Sequence, residues 1–314
     1  MRSGFQTRDG RVAGASGSGR FARLLLAGTA GIVLGGATPA RAGDVAMIPT
    51  RMTVTVKPGE DFTTVLQVQH IDDGTEEQAS FRLSLTKEDW SLNEFGRVEF
   101  HAGTPGPESA RPWLYFSPSE EMLPPGKVVP VRVSIIVPPG TPPGEYRTAL
   151  IAQPRTPYRP VAKGEARLDM QLRLASMIYV HVPPVTQDVE LTNLLVLSDG
   201  KTLYLEPEFH NRGSSTARFF DRFEVYLAGA DPAAAQPVCR LDHAESGVAL
   251  PNQIRYLRHD LPCVLLPGTY RVVYRAETGD SAPVMEGERE FTVPLPKEYV
   301  RTPDPSAKAA ISRR

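Results

Sequence analysis

The sequence of 314 residues has few cysteines and no excess of charge of either sign. Two cysteines cannot complete a four-ligand zinc site alone, and they cannot build a dense disulfide framework. Lysine and arginine number 35 against 36 aspartate and glutamate residues, so the chain lacks the basic excess typical of nucleic-acid-binding domains. Nucleic acid is therefore not an expected partner.

Helical periodicity and familiar catalytic motifs are also missing from the sequence. The 30 prolines and 26 glycines work against long helices, because proline breaks a helix and glycine weakens it. No Gly-x-Ser-x-Gly elbow, P-loop or HExxH pair is present. Ser84 and Lys87 match Ser-x-x-Lys, but on a strand these two side chains would face opposite sides. The pattern favours a protein that is not an enzyme and that uses no cofactor, metal or small-molecule substrate.

Residues 1–42 have the features of a signal peptide. Several arginines precede an apolar run from Leu24 to Ala37, and the small residues of Ala40-Arg41-Ala42 suit a cleavage site before Gly43. The apolar run is shorter than the roughly 20 residues that a membrane span needs. We therefore predict export with cleavage between Ala42 and Gly43, and a retained anchor is the alternative.

Export changes how the two cysteines are interpreted. In an oxidising compartment Cys239 and Cys263 are expected to form a disulfide, worth about 3.5 kcal/mol in the chain-entropy model. A redox-active thiol is the alternative, but the CxxC spacing typical of that chemistry is absent.

Short alternating apolar runs separated by Pro/Gly turns predict an all-β fold of two tandem immunoglobulin-like β-sandwich domains after the signal peptide. The first domain is predicted over residues 43–184 and the second over residues 185–294, with Pro183-Pro184 as a short stiff hinge. Residues 295–314 are polar and punctuated by proline, so they are expected to be a disordered tail. The predicted strands are 52–56, 62–68, 81–85, 98–100, 129–137, 146–152, 168–182, 189–197, 202–209, 219–227, 238–241, 254–261, 270–276 and 289–293.

The longest predicted strand, Leu168–Val182, is the most informative segment. Its residues alternate between apolar and polar over a length well above the five or six residues of a typical strand. Such a strand is expected to extend beyond its own sheet and to offer unpaired backbone groups to another chain. The alternative is an inner strand whose apolar face packs entirely in its own core.

Motifs in the first predicted domain resemble the periplasmic PapD-like chaperones of pilus assembly. The resemblance covers roughly residues 45–184. Its motifs are Pro49-Thr50-Arg51-Met52-Thr53-Val54, Trp113-Leu114-Tyr115-Phe116-Ser117-Pro118, Leu123-Pro124-Pro125-Gly126, Pro143-Gly144-Glu145-Tyr146-Arg147 and the strand Leu168–Val182. The second predicted domain is similar to the family only in architecture.

The resemblance implies a periplasmic chaperone that binds pilus or surface-fibre subunits by β-strand addition and aids their assembly. The implied partners are a pilin-like subunit and an outer-membrane usher. Alternate side chains of the last strand, Leu168, Met170, Leu172 and Leu174, would fill the subunit's groove. In the family, an arginine on the first strand and a lysine on the last strand bind the subunit's terminal carboxylate. Arg51 matches the arginine, whereas the lysine position falls near Ser176, with Arg173 as a substitute.

The sequence also fits a second hypothesis, which is an alternative to the chaperone hypothesis. A structural or adhesive immunoglobulin-like module of the cell envelope would have the same fold without a dedicated subunit partner. The two hypotheses differ in whether Arg51 lies in a cleft between the domains beside residues 168–176.

Overall fold

The computed structural model describes residues 32–33, 40–42, 45–72, 74, 80–155, 172–199, 201–279 and 284–294. In the first half the strands are β1 (Ile32–Val33), β2 (Ala40–Ala42), β3 (Val45–Ile48), β4 (Arg51–Thr55), β5 (Asp61–His70), β6 (Phe81–Leu92), β7 (Val98–His101), β8 (Leu114–Ser117), β9 (Glu120–Leu123), β10 (Val128–Ile136), β11 (Gly144–Arg155) and β12 (Leu174–Val182). In the second half they are β13 (Val189–Ser198), β14 (Leu203–Asn211), β15 (Ala217–Leu227), β16 (Cys239–Ala249), β17 (Gln253–Tyr256), β18 (His259–Asp260), β19 (Gly268–Glu277) and β20 (Met285–Val293). A single 3₁₀ turn, Arg111–Trp113, interrupts the strands that are described.

The first twelve strands form two sheets around one core. One sheet has the order β1-β4-β12-β11-β6-β7, with β9 also paired to β6, and the other has the order β2-β3-β5-β10-β8. The two sheets pack through their apolar faces, as strand β10 illustrates. Its alternate residues Val129, Val131, Val133 and Ile135 are buried, while the residues between them are more exposed. They meet buried residues of the facing sheet such as Leu150 and Ile178.

The remaining strands form a second pair of sheets around a separate core. The orders are β13-β14-β17, with β18 also on β14, and β16-β15-β19-β20. Phe209 of one sheet stacks on Phe219 of the other with ring centroids 4.2 Å apart, and Tyr274 is buried beside them. Large aromatic side chains thus supply much of the apolar area that holds these sheets together.

The predicted all-β fold of two immunoglobulin-like sandwiches is confirmed, and a described strand covers part or all of every predicted strand. Strands β1, β2, β3, β8 and β9 were not predicted, and β1 and β2 fall within residues 1–42, the predicted signal peptide. Within the described residues, no helix is long and apolar enough to cross a membrane. The predicted domain boundaries stay a prediction, and the predicted tail, 295–314, lies outside the described residues.

Candidate functional site

Arg51 begins strand β4 and lies next to the last strand of the first half. The parallel ladder between β4 and β12 runs from Arg51 opposite Met177 to Thr55 opposite His181. The backbone N–H of Met177 donates to the carbonyl of Thr50 at 2.8 Å, which marks the start of this ladder. Backbone pairing therefore places Arg51 at the start of this ladder.

The first residues of β12 have a different environment from the rest of the strand. The antiparallel ladder with β11 covers the whole strand, Leu174–Val182, but the ladder with β4 begins only at Met177. Among the described residues, Leu174, Ala175 and Ser176 therefore have a strand partner on one side alone. Alternate residues point their backbone groups to opposite edges, so Ala175, two residues before Met177, presents its N–H and C=O to the side without a ladder. An open strand edge of this kind can accept another strand.

Two of the predicted partner-binding residues point into the first core. Leu174 and Ser176 are buried, and the Ser176 hydroxyl donates to the carbonyl of Pro49 at 2.8 Å. Leu172 is half-buried. The side chain of Leu174 packs in the chain's own sandwich, as the alternative reading of this strand expects. Leu168 and Met170 lie outside the described residues.

Arg173 lies well away from Arg51. It is four residues before Met177, a distance of roughly 13 Å along a strand. Its guanidinium donates to Glu88 Oε1 at 2.5 Å and lies 5.5 Å from the ring centre of Phe100. The structure thus pairs Arg173 with a carboxylate of β6 and does not bring it together with Arg51.

Arg51 instead meets charged side chains from the second half of the chain. Its Nη1 donates to Oε1 of Glu245 on β16 at 2.7 Å. Nη1 of Arg218 on β15 lies 3.5 Å from the same oxygen. The Arg218 guanidinium also lies 5.2 Å from the ring centre of Tyr179 on β12, within the range of a cation–π contact. Arg51 is therefore at the junction of the two halves, close to the open edge of β12.

A buried carboxylate ties the two halves together on the same face of the sheet. Glu145 of β11 accepts hydrogen bonds from the Thr216 N–H at 2.7 Å and from the Thr216 hydroxyl at 2.5 Å. Nε2 of His181 lies 3.0 Å from Glu145 Oε2, and Arg147 Nη1 donates to Oε1 at 3.2 Å. Arg147 also pairs with Glu108.

The pKa of Glu145 reflects these partners. Burial by itself would raise the pKa of the Glu145 carboxyl. The hydrogen bonds from His181 and Thr216, together with the charge of Arg147, outweigh that effect and hold the pKa below its usual value. Glu145 is therefore an ionised, buried anchor between the two halves.

Further contacts extend this junction toward the β6–β7 hairpin. Leu250 packs with Trp90 and Tyr179 in an apolar cluster between the halves. Nε2 of Gln253 donates to the Leu92 carbonyl at 2.6 Å, and Nη1 of Arg255 donates to the Glu94 carbonyl at 2.9 Å. The relative placement of the two halves thus rests on both apolar and polar contacts.

Two other predictions from the sequence concern the disulfide and the cleavage site. Cys239 and Cys263 form a disulfide, which confirms the predicted pairing. At the predicted cleavage site, Ala42 ends β2, which pairs with β3, while Gly43 lies outside the described residues. Cleavage there stays a prediction.

Sequence reasoning did not find Glu145, His181, Thr216, Arg218 or Glu245 as functional candidates. Glu145 stands in the Pro143-Gly144-Glu145-Tyr146-Arg147 motif, which served only as a turn signal. The available signal was that the face of β11 carrying Glu145 turns apolar further along the strand, at Ala149 and Ile151. Its partners lie in the other half of the chain, and no short-range pattern points to them.

Comparison with known proteins gives matches at the level of structure. No protein-family model and no curated protein match the chain. A chaperone–tip adhesin complex of CFA/I fimbriae biogenesis matches with 12% identity, 81% of this chain and 100% of that chain covered, and a TM-score of 0.40. The chain is similar to chaperones of pilus assembly.

Two further structures belong to the same class. The Salmonella enterica SafA pilin in complex with the SafB chaperone matches with 11% identity, 81% and 98% coverage, and a TM-score of 0.40. The CsuC–CsuE chaperone–tip adhesion subunit complex of Acinetobacter baumannii matches with 12% identity, 78% and 98% coverage, and a TM-score of 0.40. At these identities the similarity concerns the fold alone.

Proposed function

We propose that the chain is an exported, periplasmic chaperone that binds a pilin-like or surface-fibre subunit by strand addition and is not an enzyme. The observation that carries the proposal is the open edge of β12 at Leu174–Ser176, which lies directly beside Arg51. Main-chain hydrogen bonds from Ala175 would supply affinity for an added strand. The resemblance also implies an outer-membrane usher as a later partner, and this stays a prediction.

The start of β4 limits how an added strand can lie. Because β4 occupies the β12 edge from Met177 onward, a strand added along residues 172–176 must end or turn away near Arg51. A strand parallel to β12 would bring its C-terminal carboxylate to this point, and an antiparallel strand would bring its N-terminal ammonium. The guanidinium groups of Arg51 and Arg218 favour the carboxylate, and therefore the parallel orientation.

Co-purification from the native periplasm tests this function. The mature form would carry an affinity tag, and quantitative mass spectrometry would identify the proteins that co-purify. We expect one stoichiometric small surface protein, reduced or lost in Arg51→Ala. Arg132→Ala, which removes an exposed arginine from β10 in the other sheet, is the matched control and should retain the partner.

A second variant separates backbone pairing from charge. Ala175→Pro removes the N–H that faces the open edge and leaves the ladder with β11, because proline is tolerated at the edge of a sheet. We expect Ala175→Pro to lose the partner while keeping its circular dichroism spectrum. A clean monomer, or self-assembly that neither variant changes, would favour the structural or adhesive module instead.

A further inference from the structure

Three charged side chains from three strands converge at the junction of the two halves. Arg51 Nη1 and Arg218 Nη1 lie 2.7 Å and 3.5 Å from a single oxygen, Oε1 of Glu245. Two guanidinium groups therefore share one carboxylate. The three side chains are 27%, 21% and 43% exposed for Arg51, Arg218 and Glu245, so solvent reaches the group.

The position of Arg218 is set by both halves of the chain. It lies on β15 opposite Val248, and its guanidinium lies over the ring of Tyr179, a buried residue of β12. A cation held over an aromatic face is restricted in direction without losing its hydrogen-bond donors. Arg218 is thus a second cation directed at the end of β12 that carries Arg51.

An irregularity in the β15–β16 ladder sets the direction of Glu245. Phe219 pairs with Gly247, but Phe220 pairs with Glu245, so Ser246 is an extra residue on β16. A bulge of this kind changes the direction in which neighbouring side chains point. Glu245 consequently lies on the same outward row as Phe220 and Arg218, where its carboxylate reaches Arg51.

We propose that Glu245 is an internal occupant of a carboxylate site formed by Arg51 and Arg218, and that the terminal carboxylate of a partner strand displaces it. This inference rests on the proposed strand addition and specifies its anchor. The family's lysine position is occupied here by Ser176, which has no charge. Arg218, from the second half of the chain, would supply the second cation instead. Displacement requires no loss of the protein's buried contacts, because all three side chains are partly exposed.

The charges of Arg51, Arg218 and Glu245 favour replacement of the Glu245 carboxylate by the carboxylate of a partner. Two guanidinium groups face one carboxylate, so one positive charge remains when Glu245 occupies the site. A free carboxylate can offer both oxygens to a guanidinium fork, which makes the stronger bidentate pair. An exposed internal ion pair contributes little by comparison, so Glu245 reduces the affinity of the site without closing it.

Paired synthetic peptides test the proposal. The probe is a fluorescently labelled 12-residue peptide of alternating valine and threonine that ends in a free carboxylate, and its twin ends in an amide. Binding of both peptides to the full mature protein would be measured by fluorescence anisotropy. Glu245→Gln should bind the carboxylate peptide roughly two- to fivefold more tightly, since it removes a competitor of the strength of an exposed ion pair. It should leave the amide twin unchanged.

Arg218→Gln provides the opposite change. It should weaken binding of the carboxylate peptide by about ten- to a hundredfold, as expected when one hydrogen bond to a charged group is lost. The amide twin should again bind equally. Glu190→Gln is the matched control, because Glu190 forms an exposed ion pair with Arg212 at 2.7 Å in the same half and should change neither peptide.

The outcomes separate the two proposals. If both peptides bind, Ala175→Pro abolishes binding, and the Glu245 and Arg218 variants have no effect, the carboxylate site is refuted while strand addition stands. If neither peptide binds to the wild type or to Glu245→Gln, strand addition fails and this inference fails with it. Melting temperatures within 2 °C of the wild type would show that the variants remain folded.

Discussion

The substitution Glu145→Gln tests most directly how much the buried carboxylate stabilises the junction between the two halves. The Glu145 side chain is 0% exposed and accepts hydrogen bonds from Thr216 and Arg147. Glutamine keeps the size of the side chain but loses the negative charge, and its amide nitrogen would face a donor. A hydrogen bond to a charged group contributes about 1.5–3 kcal/mol. We expect Glu145→Gln to lower the free energy of unfolding by about 2–3 kcal/mol at pH 7.

The same variant has a defined pH dependence. Because the pKa of Glu145 is lower in the folded protein than in the unfolded chain, its carboxylate adds stability above the unfolded pKa of about 4.3. This stability is lost as the pH falls through the folded pKa. The stability difference between wild type and Glu145→Gln should therefore be full at pH 7 and shrink as the pH falls below about 4.3.

Urea unfolding at pH 7 and at a series of lower pH values provides the measurement. Glu108→Gln is the matched control, since Glu108 pairs with the same Arg147 but is 56% exposed. We expect this control to cost at most about 1 kcal/mol. A Glu145→Gln protein within about 0.5 kcal/mol of wild type, or an equal loss in both variants, would refute the reasoning.

Three further predictions concern other parts of the molecule. Replacing both Cys239 and Cys263 by serine should lower the free energy of unfolding by about 3.5 kcal/mol, measured by urea unfolding without reductant; a loss below about 1 kcal/mol would contradict a structural role. Leu174→Ala should cost about 2–5 kcal/mol because Leu174 is buried in the first core, whereas the exposed Arg173→Ala should cost about 1 kcal/mol or less; comparable losses in thermal unfolding would contradict this placement. Mass spectrometry of the exported protein should find Gly43 as the first residue, and a chain that retains residues 1–42 would contradict cleavage.

Alternation along the chain predicted most of the strands, because each sandwich buries one face of its sheets. Two of the unpredicted strands break that rule. Val45–Ile48 is apolar without alternation, and Val45, Ala46 and Met47 are all buried. Glu120–Leu123 contains two glutamates, which are poor strand formers, and it becomes a strand only because β6 lies beside it.

The candidate site was only partly predictable. Arg51 and the last strand could be identified from a motif and from a long alternating run. The partners of Arg51 and Glu145 could not, because Glu245 is 194 positions from Arg51 and Thr216 is 71 positions from Glu145. Contacts at such separations depend on how two sandwiches dock, and local patterns contain no information on that geometry.

Hydrogen–deuterium exchange of the partner-bound protein tests the central claim most directly. The copurified complex and the free mature protein would be compared at the amides of residues 172–176, with Val180 and Val182 as internal references paired to β11 in the described fold. We expect exchange at Arg173 and Ala175 to slow by at least tenfold in the complex, while the references stay unchanged. Equal exchange at Arg173 and Ala175 with and without the partner would show that the open edge of β12 does not receive the added strand.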